Sequence, residues 1–111
     1  PMPYMQRMAL MGVTGAEPEK KVIDTGIVVH FSVCVEEHWR NDIDGKREVM
    51  KTWFRCSAFG RIGEQVMKAL PKGTWVYIEG RMRCRRANDI DYWGVTVDTF
   101  RKLEPGPARE K

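Results

Sequence analysis

The sequence is poor in the features on which catalysis and membrane insertion depend. It has two histidines, His30 and His38, and no GxGxxG, phosphate-loop or HExxH motif. His30 alternates with Val29 and Phe31 as in a strand, and the spacing suggests no partner acid or nucleophile for it. No apolar run approaches the roughly 18 residues of a membrane-spanning helix. We therefore expect no enzymatic activity, no cofactor, no small-molecule substrate and no membrane contact.

Cysteine is scarce and poorly placed for covalent or metal chemistry. Cys34, Cys56 and Cys84 are odd in number and show no CxxC spacing, which supports neither a disulfide framework nor a zinc site. Each lies in a strand-like segment, where a small buried thiol is ordinary. We therefore expect no metal and a reducing compartment.

What the chain does have is a modest core and a surplus of positive charge. Its 111 residues are 42% hydrophobic, enough for one domain, and 19 Lys and Arg against 15 Asp and Glu mildly favour polyanionic partners. The start, PMPYMQRM, lacks the order of a signal peptide. We expect residues 6–104 to form the domain, residues 1–5 to be disordered or left from a vector or precursor, and residues 105–111 to be a flexible basic C-terminus.

The most informative segment is VMKTWFRCSAF, residues 49–59, which at the two-residue period of a strand has two different faces. One face suits a small core and carries Met50, Thr52, Phe54, Cys56 and Ala58. The other places two aromatic rings beside two cations and carries Lys51, Trp53, Arg55, Ser57 and Phe59. Rings interleaved with cations match a single-stranded nucleic acid, because bases stack on the rings and the cations neutralise phosphates. The alternative is that this face is also buried, under a helix or another subunit.

The remaining pattern predicts an all-β domain with one helix. Turn signals separate strand-like segments at 5–12, 20–24, 27–39, 49–59, 75–82 and 92–103. An Asp-Gly pair in the loop at 41–45 predicts that the third and fourth segments form a hairpin. Apolar residues from Ile62 to Leu70 fall on one helical face, and Pro71 ends the helix. Five main strands with a helix between the third and fourth is the order of the OB-fold, a small Greek-key barrel; another small open barrel is the alternative.

Two basic arms accompany the aromatic strand. In RMRCRR, residues 81–86, Arg81, Arg83 and Arg85 share one face, an arrangement that suits a phosphate backbone. A solvated hairpin that protects an edge strand from aggregation would explain the same run. Basic residues also crowd the predicted hairpin loop near 40–47.

Several motifs resemble those of the bacterial and mitochondrial single-stranded-DNA-binding proteins. KTWFRCSAFGRIGEQVMKALPKGTWVYIEGRMRCR is similar to the family's centre, where a TxWxRxxxFG stretch leads through one helix into KGxxVYxEGxLRxR. MALMGVTGAEPE resembles its first strand and GxDPE turn, and FSVCVEEHWR resembles FSLATNExWR. The resemblance spans about residues 6–103 and implies an OB-fold, usually a homotetramer, that coats single-stranded DNA in replication, recombination and repair without strong sequence preference.

By position, the resemblance makes Trp39, Trp53 and Phe59 base-stacking platforms. Members usually have one more aromatic just after the arginine arm, where this chain has Ala87, and Trp93, a few residues later, is the candidate replacement. Together with the basic arms, the predicted phosphate-binding residues are Arg40, Lys46, Arg47, Lys51, Arg55, Arg81, Arg83, Arg85 and Arg86. Trp75 and Tyr77 lie on a strand that supplies subunit contacts in the family, so we expect them in an oligomer interface, in a tetramer rather than a dimer.

The chain departs from bacterial members at its end, FRKLEPGPAREK, which is basic and lacks the Gly/Pro/Gln-rich linker with an acidic tip. Either the chain was shortened or it is of the tailless, mitochondrial kind. We expect a DNA-containing compartment, mitochondrion or bacterial cytoplasm. Two alternatives stay open at this point: an RNA-binding OB-fold subunit of an organellar complex, since rings and cations do not distinguish DNA from RNA, and a primosome-like OB module that binds protein through Trp53 and Phe59.

Overall fold

The structure is a computed structural model that describes residues 2–105. It contains six strands and one helix in chain order: β1 (Met8–Thr14), β2 (Glu19–Ile23), β3 (Gly26–Arg40), β4 (Arg47–Phe59), α1 (Gly60–Ala69), β5 (Trp75–Ala87) and β6 (Ile90–Lys102). Within this described range, no helix has the length and apolarity needed to cross a membrane. The N-terminal residues 2–7 lie outside the helix and strands, and the predicted C-terminal segment beyond residue 105 lies outside the described residues.

The strands close into a barrel. They are hydrogen-bonded in the order β1, β5, β6, β4, β3, and β1 pairs again with β3 to complete the circuit. The β4–β6 pair is parallel and the other pairs are antiparallel, while β2 pairs with β3 outside the circuit. Five barrel strands with α1 between the third and fourth confirm the predicted OB-fold.

The longest hairpin joins β3 to β4 and confirms the prediction from the Asp-Gly pair. Its register runs without interruption from Val28–Phe59 to Arg40–Arg47. Side chains hold the loop: the Asn41 carboxamide oxygen accepts the Ile43 N–H at 2.7 Å, and an Asp44 carboxylate oxygen accepts the Lys46 N–H at 2.9 Å. Gly45 has φ of 70°, a conformation that glycine adopts at little cost.

The core lies inside the barrel and under α1, as the strand alternation predicts. Its fully buried members include Val29, Val33, Ala58, Val66, Leu70, Val76 and Ile78. On β4, Cys56 and Ala58 are buried as predicted, but Met50 is 52% exposed. The assignment of Met50 to the core is wrong, because this end of the hairpin extends beyond the barrel and nothing covers it within residues 2–105.

The helix lies against β3 and β4, where Gly63 permits close contact. A Cβ atom at this position would lie 2.6 Å from the Ala58 carbonyl oxygen, so a larger residue would push the helix away. α1 ends where the Leu70 N–H donates to the Val66 carbonyl at 3.0 Å, immediately before Pro71. The helix thereby covers the core from one side and leaves the outer surface of the opposite strands open.

Candidate nucleic-acid interface

An open groove crosses the outer surface of the sheet. One residue from each of five strands forms a row of directly paired neighbours: Glu19, His30, Ser57, Thr96 and Arg81. This row is the floor of a groove of about 1240 Å³, which is also lined by Phe59 and by residues of the β5–β6 hairpin. The surface is long and open, a shape that suits an extended ligand.

The groove is strongly basic. Its cations are Lys20, Lys21, Arg55, Arg81, Arg83 and Arg85, and Glu19 is the one acidic residue that lines it among residues 2–105. Lys20 pairs with Glu64 at 2.8 Å, and Arg81 donates two hydrogen bonds to Asp98, at 2.9 and 3.2 Å. In the described part of the chain, neither Arg55 nor Arg83 forms an ion pair, so their charges are available to an anion.

Aromatic rings stand at the edges of the groove. Phe59 lines one side and is 49% exposed, while Tyr92 and Trp93 line the other. Tyr92 is directly opposite Arg85 in the β5–β6 register, and the guanidinium carbon of Arg85 lies 5.8 Å from the centre of its ring. In this cation–π contact one face of the Tyr92 ring lies against the guanidinium group of Arg85, and a base can stack on the other face.

Sequence reasoning selects Trp93 and misses its neighbour Tyr92. Trp93 pairs with Cys84 and therefore points to the other side of the β5–β6 hairpin from Tyr92, although it also lines the groove. The alternation of Thr96, Gly94 and Tyr92 along β6 identifies Tyr92, because the first two face the same side as the arginines. Ring size, which favours Trp93, does not contain this information.

Trp53 lies next to the groove and not in its lining. The ring is 59% exposed and packs over Gly15, where a Cβ atom would lie 2.3 Å from Cζ3 of the indole. It neighbours Arg55 on the same face of β4, so the groove and the ring form one continuous surface. Gly15 is thus required for the present position of the Trp53 ring.

A second, smaller recess of about 200 Å³ lies at the far end of the β3–β4 hairpin, between His38, Trp39, Arg40 and Arg47. Arg40 donates to the Gly45 carbonyl at 2.9 Å and so also holds the loop. Trp53 is paired with Cys34 of β3, so these two side chains point to the same side of the hairpin. Trp39 is five positions further along β3 in an unbroken register, and successive side chains of a strand alternate between its two sides. Trp39 therefore points to the opposite side of the hairpin from Trp53.

The other predicted site residues are spread along the two hairpins. Lys51 is paired in register with Glu36, and Lys46 follows the hairpin loop. Arg86 binds Asp91 at 3.1 Å and points away from the groove side of its hairpin. The structure therefore brings together Arg55, Phe59, Arg81, Arg83, Arg85 and Trp93, and it separates the hairpin-tip residues from them.

Trp75 and Tyr77 lie on a different surface. They pair with Val13 and Met11 across the β1–β5 ladder and form an outward-facing apolar area with them. Trp75 is 43% exposed and Met11 is 53% exposed. Both values fit the expectation that another subunit covers this area.

Two residues that line the groove have shifted pKa values. Partial desolvation, followed by the charges of Lys21 and Arg55, lowers the pKa of His30. Burial raises the pKa of Cys56 to about 12, so its thiol is neutral and unreactive near pH 7. Among residues 2–105 there is no group of three potential metal ligands. The arrangement can bind an extended anion with flat rings, which defines a single-stranded nucleic-acid interface on an OB-fold.

Comparison with known proteins leads to the same class. The model of the Single-strand binding protein family matches residues 5–99. Single-stranded DNA-binding protein 1 of Xylella fastidiosa is 33% identical over 89 residues, which cover 79% of this chain and 65% of that protein. The chain belongs to the single-strand binding protein family, as its motifs predict.

Solved structures agree on the fold. A Plasmodium falciparum SSB, in a complex with ssDNA, superposes with a TM-score of 0.82 at 22% identity, covering 94% of this chain and 99% of that one. A small single-stranded DNA-binding protein from Streptomyces coelicolor gives 0.75 at 13% identity, covering 92% and 96% of the two chains. At these identities the similarity concerns the OB-fold.

Proposed function

We propose that this protein binds and protects single-stranded DNA, with little sequence preference, during replication, recombination and repair. The observation that carries the proposal is the groove, in which Arg55 and Arg83, without an ion-pair partner among residues 2–105, lie between exposed aromatic rings. Membership of the family supports the same ligand. Binding without catalysis accounts for all of these features.

The mechanism combines two contacts that any single strand can make. Bases stack on Trp53, Phe59 and Tyr92, with Trp39 and Trp93 as further platforms, and each good stack contributes about 1 to 3 kcal/mol. Phosphates contact the arginines of the groove and release bound counterions. Neither contact reads the edge of a base, which explains why sequence preference is weak.

The proposed functional unit is a homo-oligomer, with a tetramer favoured over a dimer. The apolar surface around Trp75 and Met11 supports this proposal, since exposed aromatic and thioether groups on one sheet face favour burial against another copy. A DNA ligand and the Xylella relative support a DNA-containing compartment, for which the bacterial cytoplasm and the mitochondrion are the two candidates.

Titration with fluorescent dT and rU oligomers at several salt concentrations tests the proposal. We expect dT binding that weakens steeply with salt, because phosphate contacts release counterions. Clearly tighter rU binding would instead favour the RNA-binding alternative. Weak, salt-insensitive association with both oligomers would contradict the proposal and favour a protein-binding module.

A further inference from the structure

His30 has a position that the stacking and arginine contacts do not explain. It is the residue that β3 contributes to the row on the groove floor, between Glu19 of β2 and Ser57 of β4. The side chain is exposed, and its Nδ1 lies 3.0 Å from the Ser57 hydroxyl. The imidazole is therefore held by one nitrogen, and in the part of the chain that the structure describes no side chain hydrogen-bonds the other, Nε2.

The charges around this imidazole come from three strands and are mostly positive. β2 contributes Lys21 and the opposing carboxylate of Glu19, β4 contributes Arg55, and β5 contributes Arg85. The β6 neighbour in the row, Thr96, is uncharged, and Glu64 of α1 is occupied by Lys20. Desolvation and the three cations together lower the pKa of His30, so the ring is neutral near pH 7 in the free protein.

A bound strand would reverse this balance. Its phosphates bring negative charge to Arg55 and Arg85, which removes the repulsion that these cations exert on a protonated imidazole. In an imidazolium both ring nitrogens donate, so Nδ1–H can remain on the Ser57 hydroxyl while Nε2–H is donated to a phosphate oxygen. A charge-assisted hydrogen bond of this type is stronger than a neutral one.

We propose that His30 and Ser57 form a phosphodiester-binding pair on the groove floor, and that His30 takes up one proton from the buffer when a single strand binds. The inference rests on the proposed function and adds to it a specific phosphate contact and a pH dependence. Affinity should therefore rise as pH falls, within the interval between the pKa of His30 in the free and in the bound protein.

The test measures the affinity of the full chain for a short dT oligomer from about pH 8 to about pH 5.5, above the range in which most carboxylates titrate. One proton can change affinity at most about tenfold per pH unit, and we expect a total gain of about three- to tenfold. The variant His30→Gln keeps a polar side chain without a titrating charge, and it should bind with almost no pH dependence.

The chain offers a matched control, because His38 is its other histidine. Its Nε2 lies 3.2 Å from a carboxylate oxygen of Glu36, so it already has an anionic partner. His38→Gln should retain the pH dependence of the original protein. If His38→Gln abolishes the dependence and His30→Gln preserves it, the proton belongs to the other histidine and the inference is overturned.

Proton NMR of the hydrogens on the imidazole carbons measures the titration midpoint of each histidine directly. The titration midpoint of His30 should move to higher pH when the dT oligomer is added, and Ser57→Ala should reduce this movement. An unchanged His30 midpoint together with tight dT binding would overturn the inference and leave the proposed function intact. No dT binding at any pH would overturn both.

Discussion

At the scale of single residues, the binding surface depends on side chains that burial does not explain. Trp53 is more exposed than Trp75, and a glycine beneath it provides room for the ring. A surface on which several exposed aromatic rings lie together is typical of a site that a ligand or subunit covers. Arg55, two residues further along β4, places a cation next to the ring, and this favours a ligand that is both flat and anionic.

Replacing Trp53 with alanine should weaken binding of a short dT oligomer by about 1 to 3 kcal/mol and remove part of the fluorescence quenching, because one stacking platform is removed. Circular dichroism should remain unchanged, since the side chain is 59% exposed. Trp75→Ala removes an exposed tryptophan from the other surface and is the control. An equal decrease of affinity in the two variants, measured per protomer, would contradict the assignment of Trp53.

Replacing Tyr92 with alanine should also weaken dT binding by about 1 to 3 kcal/mol, because its ring lies under Arg85 on the groove side. Tyr92→Phe keeps the ring and should bind almost as the original protein does. Fluorescence anisotropy of labelled dT measures both variants. If Tyr92→Ala binds normally while Trp93→Ala does not, the fourth platform is Trp93, as the sequence predicts.

Sequence reasoning at this scale succeeds where alternation is followed along a strand and fails where it is not. Trp53, Arg55 and Phe59 are identified because β4 continues the two-residue period into the barrel core. Tyr92 is missed because ring size, and not the period of β6, selects Trp93. No sequence signal shows that Asp98 binds Arg81, since that contact crosses between two strands at an irregularity in their register.

At the scale of elements, the β5–β6 hairpin carries most of the groove's arginines. The hairpin is longer than predicted, since β5 continues to Ala87 and a tight turn at Asn88 and Asp89, with φ of 52° and 64°, leads into β6. Two consecutive positive φ values are typical of a type I′ turn, and Asn and Asp tolerate them better than most residues. The end of β5 is predicted too early, at residue 82, because the Asn-Asp pair that forms the turn is a weaker turn signal than Asn-Gly.

Neutralising Arg83 and Arg85 with glutamine should reduce dT affinity for all sequences alike. The slope of log K against log salt should become shallower by about 0.7 for each phosphate that the protein no longer neutralises. The matched control is the pair Arg81→Gln and Arg86→Gln, whose guanidinium groups already bind Asp98 and Asp91 and should matter less. Titrations at four salt concentrations give the slopes.

Two results would contradict this role of the hairpin. A change of base preference at constant salt slope would mean that Arg83 and Arg85 contact bases. Equal slopes in the original protein and both double variants would mean that the hairpin is a solvated arm, and binding would then depend on the β4 surface.

At the scale of the whole molecule, barrel closure creates the groove. The parallel contact of Cys56 and Ser57 with Val95 and Thr96 brings β4 beside β6, and with it Arg55 beside the arginine hairpin. The element order predicts the OB-fold. The parallel register of β4 and β6, however, depends on packing between segments that are distant in the sequence, and no local sequence pattern indicates it. The groove floor, including His30, could therefore not be predicted.

The apolar surface at Val13, Met11, Trp75 and Tyr77 predicts self-association. Light scattering at micromolar concentration should give a multiple of the 12.9 kDa chain mass, and the proposed tetramer corresponds to four copies. Trp75→Glu should reduce the mass without changing the circular dichroism spectrum. A mass near that of a single chain in the original protein would contradict the prediction.

Ultraviolet cross-linking of a bound dT oligomer, followed by mass-spectrometric mapping of the attached peptides, tests most directly whether the strand lies in the groove. The account predicts cross-links at Trp53, Phe59 and Tyr92, which competition with unlabelled dT should suppress. Cross-links restricted to the surface of Trp75 and Tyr77, with none in the groove, would contradict it.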